Sequence, residues 1–100
     1  MSECFEMMSF ELHNEDLMND WRALSKEIDA DIANAEGFIS RDSGVDENGR
    51  VYCLVKWQSK NHQKAFMQAL EARSEWPQMM QQFGSIANME TAKNQTIELF

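Results

Sequence analysis

Two stretches of this chain carry apolar side chains on both faces of an extended strand, and that pattern limits the fold more than any other feature. From Cys4 to Leu12, Phe5 and Met7 fall in one alternating set, and Met8, Phe10 and Leu12 in the other. From Val51 to Gln58, Val51, Cys53, Val55 and Trp57 share one face, while Tyr52, Leu54, Lys56 and Gln58 share the other. Strands of this kind need cover on both sides. A chain of 100 residues, 43% of them hydrophobic, has length for one domain, residues 1–100, with a thin core. Its own helices can cover one face of a sheet, which leaves the other face to be covered from outside the chain.

The remaining segments supply those helices. Asn14, followed by Glu15 and Asp16, predicts a helix start, because its side chain can cap free N–H groups and the carboxylates favour the positive end of the helix dipole. Leu17, Trp21, Leu24, Ile28, Ile32 and Ala35 then form one apolar stripe, which Gly37 ends in a left-handed conformation. Phe38 to Val45 reads as a second strand, and Asp46, Glu47, Asn48 and Gly49 turn it into the strand that starts at Val51. Ser59 caps a second helix running through Arg73. Glu75, Trp76 and Pro77 open a further short one bearing Met79, Met80, Phe83 and Ile86. Met89 to Phe100 closes the chain as a fourth strand, interrupted around Lys93 and Asn94.

The order βαββαβ predicts an α+β, ferredoxin-like fold: an antiparallel four-stranded sheet with both main helices on one face. Met8, Phe10, Leu12, Tyr52 and Leu54, or their partners on the opposite face, would then be left outside. Such a patch predicts a homodimer packed sheet to sheet.

Charge narrows the partners. Seventeen acidic against nine basic residues give a net charge of -8, which opposes phosphate backbones and anionic lipid, so neither nucleic acid nor membrane is expected. No apolar run approaches the roughly 20 residues of a membrane helix, and Met1 to Phe10 lacks a basic segment followed by an apolar one. The expectation is a soluble cytoplasmic protein. Cys4 and Cys53 are too few for a disulfide framework or a four-ligand zinc site and are expected as buried free thiols.

Gly37-Phe38-Ile39-Ser40 after the long amphipathic helix, the hairpin into Val55-Lys56-Trp57-Gln58-Ser59, and Lys64-Ala65-Phe66 resemble the antibiotic biosynthesis monooxygenase family over about Phe5 to Leu99. The resemblance implies a dimeric α/β barrel with a pocket between each sheet and its helices. It also implies oxygenation of a quinol, phenol or anthrone by O2 without a cofactor: the substrate loses a proton and its anion passes an electron to oxygen. The haem-degrading branch of the family looks for an asparagine in the first strand and a tryptophan, then a histidine, in the second helix. Here the first strand has no asparagine, the helix carries Phe66 and Met67, and no histidine follows His62, so haem breakdown is not expected.

Trp57, at the family's Trp-x-Ser position, is the first candidate for the pocket, with its indole N–H as donor; packing between helix and sheet is the plainer role. His62, in the first turn of the second helix, is the candidate base. Cys53, Phe66, Met67, Leu70, Met79, Met80 and Phe83 would line the substrate site, or simply fill the core. His13, Tyr52 and Arg41 depend on which way they face, which the sequence leaves open. Three readings follow. An oxygenase predicts a pocket reaching Trp57 with a polar group nearby. A noncatalytic dimeric module binding a small aromatic ligand predicts a filled or wholly apolar interior. An isomerase or decarboxylase on the same scaffold would use His62 or His13 as base.

Overall fold

A computed structural model describes residues 2–100 as β1 (Cys4–Leu12), α1 (Met18–Ile32), β2 (Phe38–Val45), β3 (Val51–Trp57), α2 (Lys60–Glu71), α3 (Trp76–Ile86) and β4 (Ala87–Glu98). The strands form one sheet in the order β2-β3-β1-β4, with every neighbouring pair antiparallel. This is the ferredoxin-like arrangement that the element order predicts.

Pairing decides which apolar set turns inward. Cys4 lies opposite Trp57, Met8 opposite Cys53 and Phe10 opposite Val51, and directly opposed residues share a face. Val51, Cys53, Val55 and Trp57 are all buried beneath the helices. Phe5, Met7, Tyr52 and Leu54 therefore look outward, joined by Ile97, which pairs with Phe5. The sequence pattern set Met8, Phe10 and Leu12 on one face with Tyr52 and Leu54; the pairing separates them, because Met8 and Phe10 oppose Cys53 and Val51, so the first three lie inside and Tyr52 and Leu54 outside. The chain exposes 6680 Å² of surface, more than the roughly 6,000 Å² that its size predicts for a fully packed monomer.

The core has two parts. Phe10, Trp21, Val51, Cys53, Ile86 and Ala87 make the first, in which the rings of Phe10, Trp21 and Phe83 meet edge to face at 5.0–5.8 Å. Cys4, Ile32, Val55 and Trp57 make the second, with Ala35, Phe38 and Phe66 packed against them. Both cysteines are free and buried.

Several boundaries differ from the sequence pattern. Asn14 caps a short 3-10 turn, Glu15–Leu17, before α1 begins at Met18. The helix stops at Ile32, and turn hydrogen bonds from Ala35 and Phe38 carry the chain to Gly37, whose φ of 80° is the expected left-handed one. The fourth strand starts two residues early, at Ala87. Its irregularity is not at Lys93 and Asn94, which pair with Ser9 and Met8, but at 89–92, where β4 bulges away from β1. Glu11 N–H donates to Thr91 Oγ1 at 2.8 Å and Arg50 Nη2 to the Thr91 carbonyl at 2.6 Å, so polar bonds hold the bulge in place of the broken ladder.

The hairpin turn is fixed by one carboxylate. Asp46 Oδ1 accepts the N–H groups of Asn48 and Arg50, each at 2.9 Å, and these bonds, that of Arg50 foremost, hold its carboxyl below the usual carboxylate range. Gly49, at φ 85°, completes the turn with open space around it.

At Gly37, by contrast, a Cβ would overlap the ring of His62. Gly37→Ala is thus expected to combine backbone strain with displacement of that ring and to lower stability by about 2–4 kcal/mol, whereas Gly49→Ala carries strain alone, about 1 kcal/mol. Urea denaturation of both variants measures the difference; equal losses would show that the His62 contact contributes nothing.

Candidate functional site

On the helix-facing side of the sheet, the middle row of opposed residues runs Arg41, Val55, Glu6, Thr96. It lies between the row Phe38, Trp57, Cys4, Glu98 and the row Ser43, Cys53, Met8, Asn94. Two ionisable side chains thus sit where the two parts of the core meet, one on each side of Val55 and about 10 Å apart by strand spacing.

Arg41 is anchored to α1. Its side chain is 4% exposed, and Nη1 donates to Ser25 Oγ at 2.8 Å and to Asp29 Oδ1 at 2.7 Å. Nη2 points at Cys53 Sγ, 3.6 Å away. Burial pushes the Cys53 thiol up, outweighing the opposite pull of the Arg41 charge, so the sulfur stays a neutral thiol.

Glu6 is the one charged member of the inward set Cys4, Glu6, Met8, Phe10 and Leu12. It is half-buried and accepts a hydrogen bond from the Gln63 side chain of α2 through Oε2. Burial raises its pKa above the ordinary glutamate value, and the Gln63 bond pulls it part of the way back. The strand beside it is uncovered: Asn94, Thr96 and Glu98 are exposed although they share the helix-facing side. The layer above is thin too, since α2 has no buried residue, unlike α1 and α3.

Trp57 is 1% exposed, stacked at 5.4 Å and a 39° tilt against Phe66 of α2 and edge-on at 6.0 Å to Phe38. Its Nε1–H finds no acceptor among the described residues. The space around the indole is therefore filled by protein side chains, so the pocket reaching Trp57 that an oxygenase predicts is closed in this structure, while polar groups lie one row away.

The other sequence candidates scatter. His62 holds α2 to the rest of the chain: Nδ1 is 2.7 Å from Ser59 Oγ, which also caps the helix, and the ring fills the notch at Gly37. Phe83 belongs to the aromatic trio of the first core part and Phe66 to the second, so these two do not share one wall. Met67, Leu70, Met79 and Met80 are half-buried on α2 and α3. His13 Nε2 donates to the Gly84 carbonyl at 2.7 Å, joining the end of β1 to α3. Tyr52 lies on the open face, where its hydroxyl donates to Asp46 Oδ2 at 3.1 Å and that bond raises its pKa. Arg41 alone of these polar residues faces the interior.

Sequence reasoning missed Glu6, Gln63, Ser25 and Asp29. For Glu6 a signal was present, a carboxylate interrupting an otherwise apolar alternation. Among the described residues no three His, Cys, Asp or Glu side chains gather as a metal site, and no helix is long and apolar enough to cross a membrane.

Comparison with known proteins adds the fold's relatives. A family model for the chromo shadow domain matches residues 43–83, which take in the end of β2, β3, α2 and most of α3 but not β1, α1 or β4. A search of curated proteins gave no match. Solved structures match over the whole chain. SnoaB from Streptomyces nogalater, a cofactor-independent oxygenase, superposes with a TM-score of 0.75 at 13% identity, covering 100% of this chain and 95% of SnoaB. A candidate antibiotic biosynthesis monooxygenase from Bordetella bronchiseptica gives 0.76 at 12% identity, covering 100% and 99%. A conserved protein from Bacteroides thetaiotaomicron, tentative oxidoreductase by its description, gives 0.74 at 18% identity, covering 98% of both chains.

The anchoring of Arg41 is testable by itself. A lysine ammonium cannot span Ser25, Asp29 and Cys53 as the guanidinium fork does, so Arg41→Lys should cost about 1–3 kcal/mol in urea denaturation. A variant within 0.5 kcal/mol of wild type, roughly the scatter of surface substitutions, would show that the fork is dispensable. In fold, as in its short sequence motifs, this chain is similar to antibiotic biosynthesis monooxygenases.

Proposed function

We propose that this chain is a cofactor-independent oxygenase that uses O2 on a small electron-rich aromatic molecule, a quinol, phenol or anthrone, held between sheet and helices. The observation that carries the reading is the indole of Trp57, buried with an unpartnered N–H one row from Glu6 and Arg41. An unpaired buried N–H costs about 1–3 kcal/mol, and a substrate oxygen that displaces Phe66 from the indole would supply the missing acceptor. The likeness in fold to SnoaB supports the reaction class.

The chemistry asks little of the protein. For an anthrone, a methylene C–H loses its proton, and the carbanion, delocalised as a phenolate-like anion, gives one electron to O2. The radical pair couples to a peroxide at that carbon, and loss of water leaves a quinone carbonyl; one O2 yields one quinone oxygen and one water. The chain's own contribution is a fixed orientation, exclusion of solvent, and a charge-stabilising donor, Trp57 Nε1–H, aimed at the anionic oxygen.

Oxygen uptake by metal-stripped protein with a panel of hydroquinones and anthrones tests the reading. Turnover well above autoxidation is expected, and Trp57→Phe should lower it by about 10-fold or more, the loss expected for one charge-stabilising donor. Absence of uptake across the panel would favour a noncatalytic ligand-binding module.

The same reading includes a homodimer through the open sheet face, supported by Phe5, Met7, Leu54 and Ile97 on one surface. Ile97 is 41% exposed there. Sedimentation at micromolar concentration should give twice the chain mass, and Leu54→Asp should give the chain mass. A wild-type monomer would refute the dimer and leave the fold intact.

A further inference from the structure

We propose that Glu6 is the proton acceptor of this site: its carboxylate takes the phenolic O–H or anthrone C–H proton from a substrate that enters over the exposed Thr96 side of β1. The substrate class rests on the oxygenase reading above; the role of Glu6 rests on its own geometry.

Glu6 is placed as a base must be. It is on the central strand, facing the helices, one row from Trp57 and beside the part of β4 that no helix covers. Gln63 holds Oε2, and Oε1 has no hydrogen bond to any described residue, so one oxygen is oriented and the other is free to receive a proton. Glu6 makes no ion pair among the described residues; its partner is a neutral amide.

The transfer balances simply. The substrate O–H or C–H bond breaks, a Glu6 O–H bond forms, and the electron pair stays on the substrate as the anion that O2 then oxidises. Burial makes the carboxylate a stronger base than an exposed one, which favours the transfer. Other titratable groups on the elements of this side include the thiols of Cys4 and Cys53, Glu98 of β4, Lys60, His62, Lys64 and Glu71 of α2, and the Arg41–Asp29 pair; α3 carries no charge. None of them moves Glu6 as much as burial does.

The test separates proton removal from oxygen chemistry. Dithranol, a dihydroxyanthrone, is incubated with the protein in D2O without oxygen, and loss of its methylene proton signal is followed by NMR; oxygen uptake is measured in parallel. Wild type should speed the exchange over a protein-free control, and Glu6→Gln should remove about 100-fold or more of that gain, the usual share of a general base. Exchange that depends on Glu6 without oxygen uptake would support the base and defeat the oxygenase reading. Uptake with equal exchange in wild type and Glu6→Gln, or no exchange in wild type, would overturn the base.

Two further readings guard against a structural role. A buried carboxylate retained for chemistry predicts that Glu6→Gln melts no lower than wild type at pH 7, whereas a packing role predicts a lower Tm. The Gln63 bond lowers the Glu6 pKa, so Gln63→Leu should raise it and move the acid limb of the exchange rate to higher pH. An unmoved limb would overturn the assignment even if Glu6→Gln failed to fold.

Discussion

The structure depends on the register of β1 between β3 and β4. With Phe10 opposite Val51 and Cys4 opposite Trp57, one alternating set of each central strand lies beneath the helices. A slip of one residue would send Phe5 and Met7 inward and expose Phe10, now 0% accessible. The aromatic trio of Phe10, Trp21 and Phe83 opposes that slip from one end of the sheet, and the packing of Trp57 with Phe38 and Phe66 opposes it from the other. Between those two anchors lies the row through Glu6 and Arg41, with Val55 as its buried apolar member.

Much of this architecture was legible. Spacing alone gave the stripe from Leu17 to Ile32, the hairpin turn at Asp46–Gly49 and the left-handed Gly37, because each follows from local backbone chemistry. What remained hidden was set by pairing across the chain. The inward direction of Phe10 depends on Val51, 41 positions away, and the bulge at 89–92 depends on Arg50 and Glu11. The site was less legible than the fold for the same reason. His62 looked like a base from its place in a helix, yet its ring is engaged by Gly37 and Ser59. Glu6 interrupts an apolar alternation, but only the register of β1 shows that its set faces the helices.

A thin core makes the placement of polar groups costly. Arg41 offsets its burial with three kinds of acceptor on α1 and β3, so its charge is distributed over a fixed network. Glu6 has one amide and an open flank. The two halves of the polar row thus differ in kind: Arg41 is held by several acceptors, and Glu6 by one amide beside the exposed part of β4.

The attachment of α2 has a dynamic consequence. This helix is tied at its first turn by Ser59 and His62 and in the middle by Gln63 and Phe66, and it buries no residue completely. Lifting it from the sheet exposes less apolar surface than lifting α1 or α3, so its opening costs a fraction of the free energy of global unfolding. Of the three helices, α2 is therefore the one whose local opening disturbs the core least, while the sheet and the other two helices keep their order.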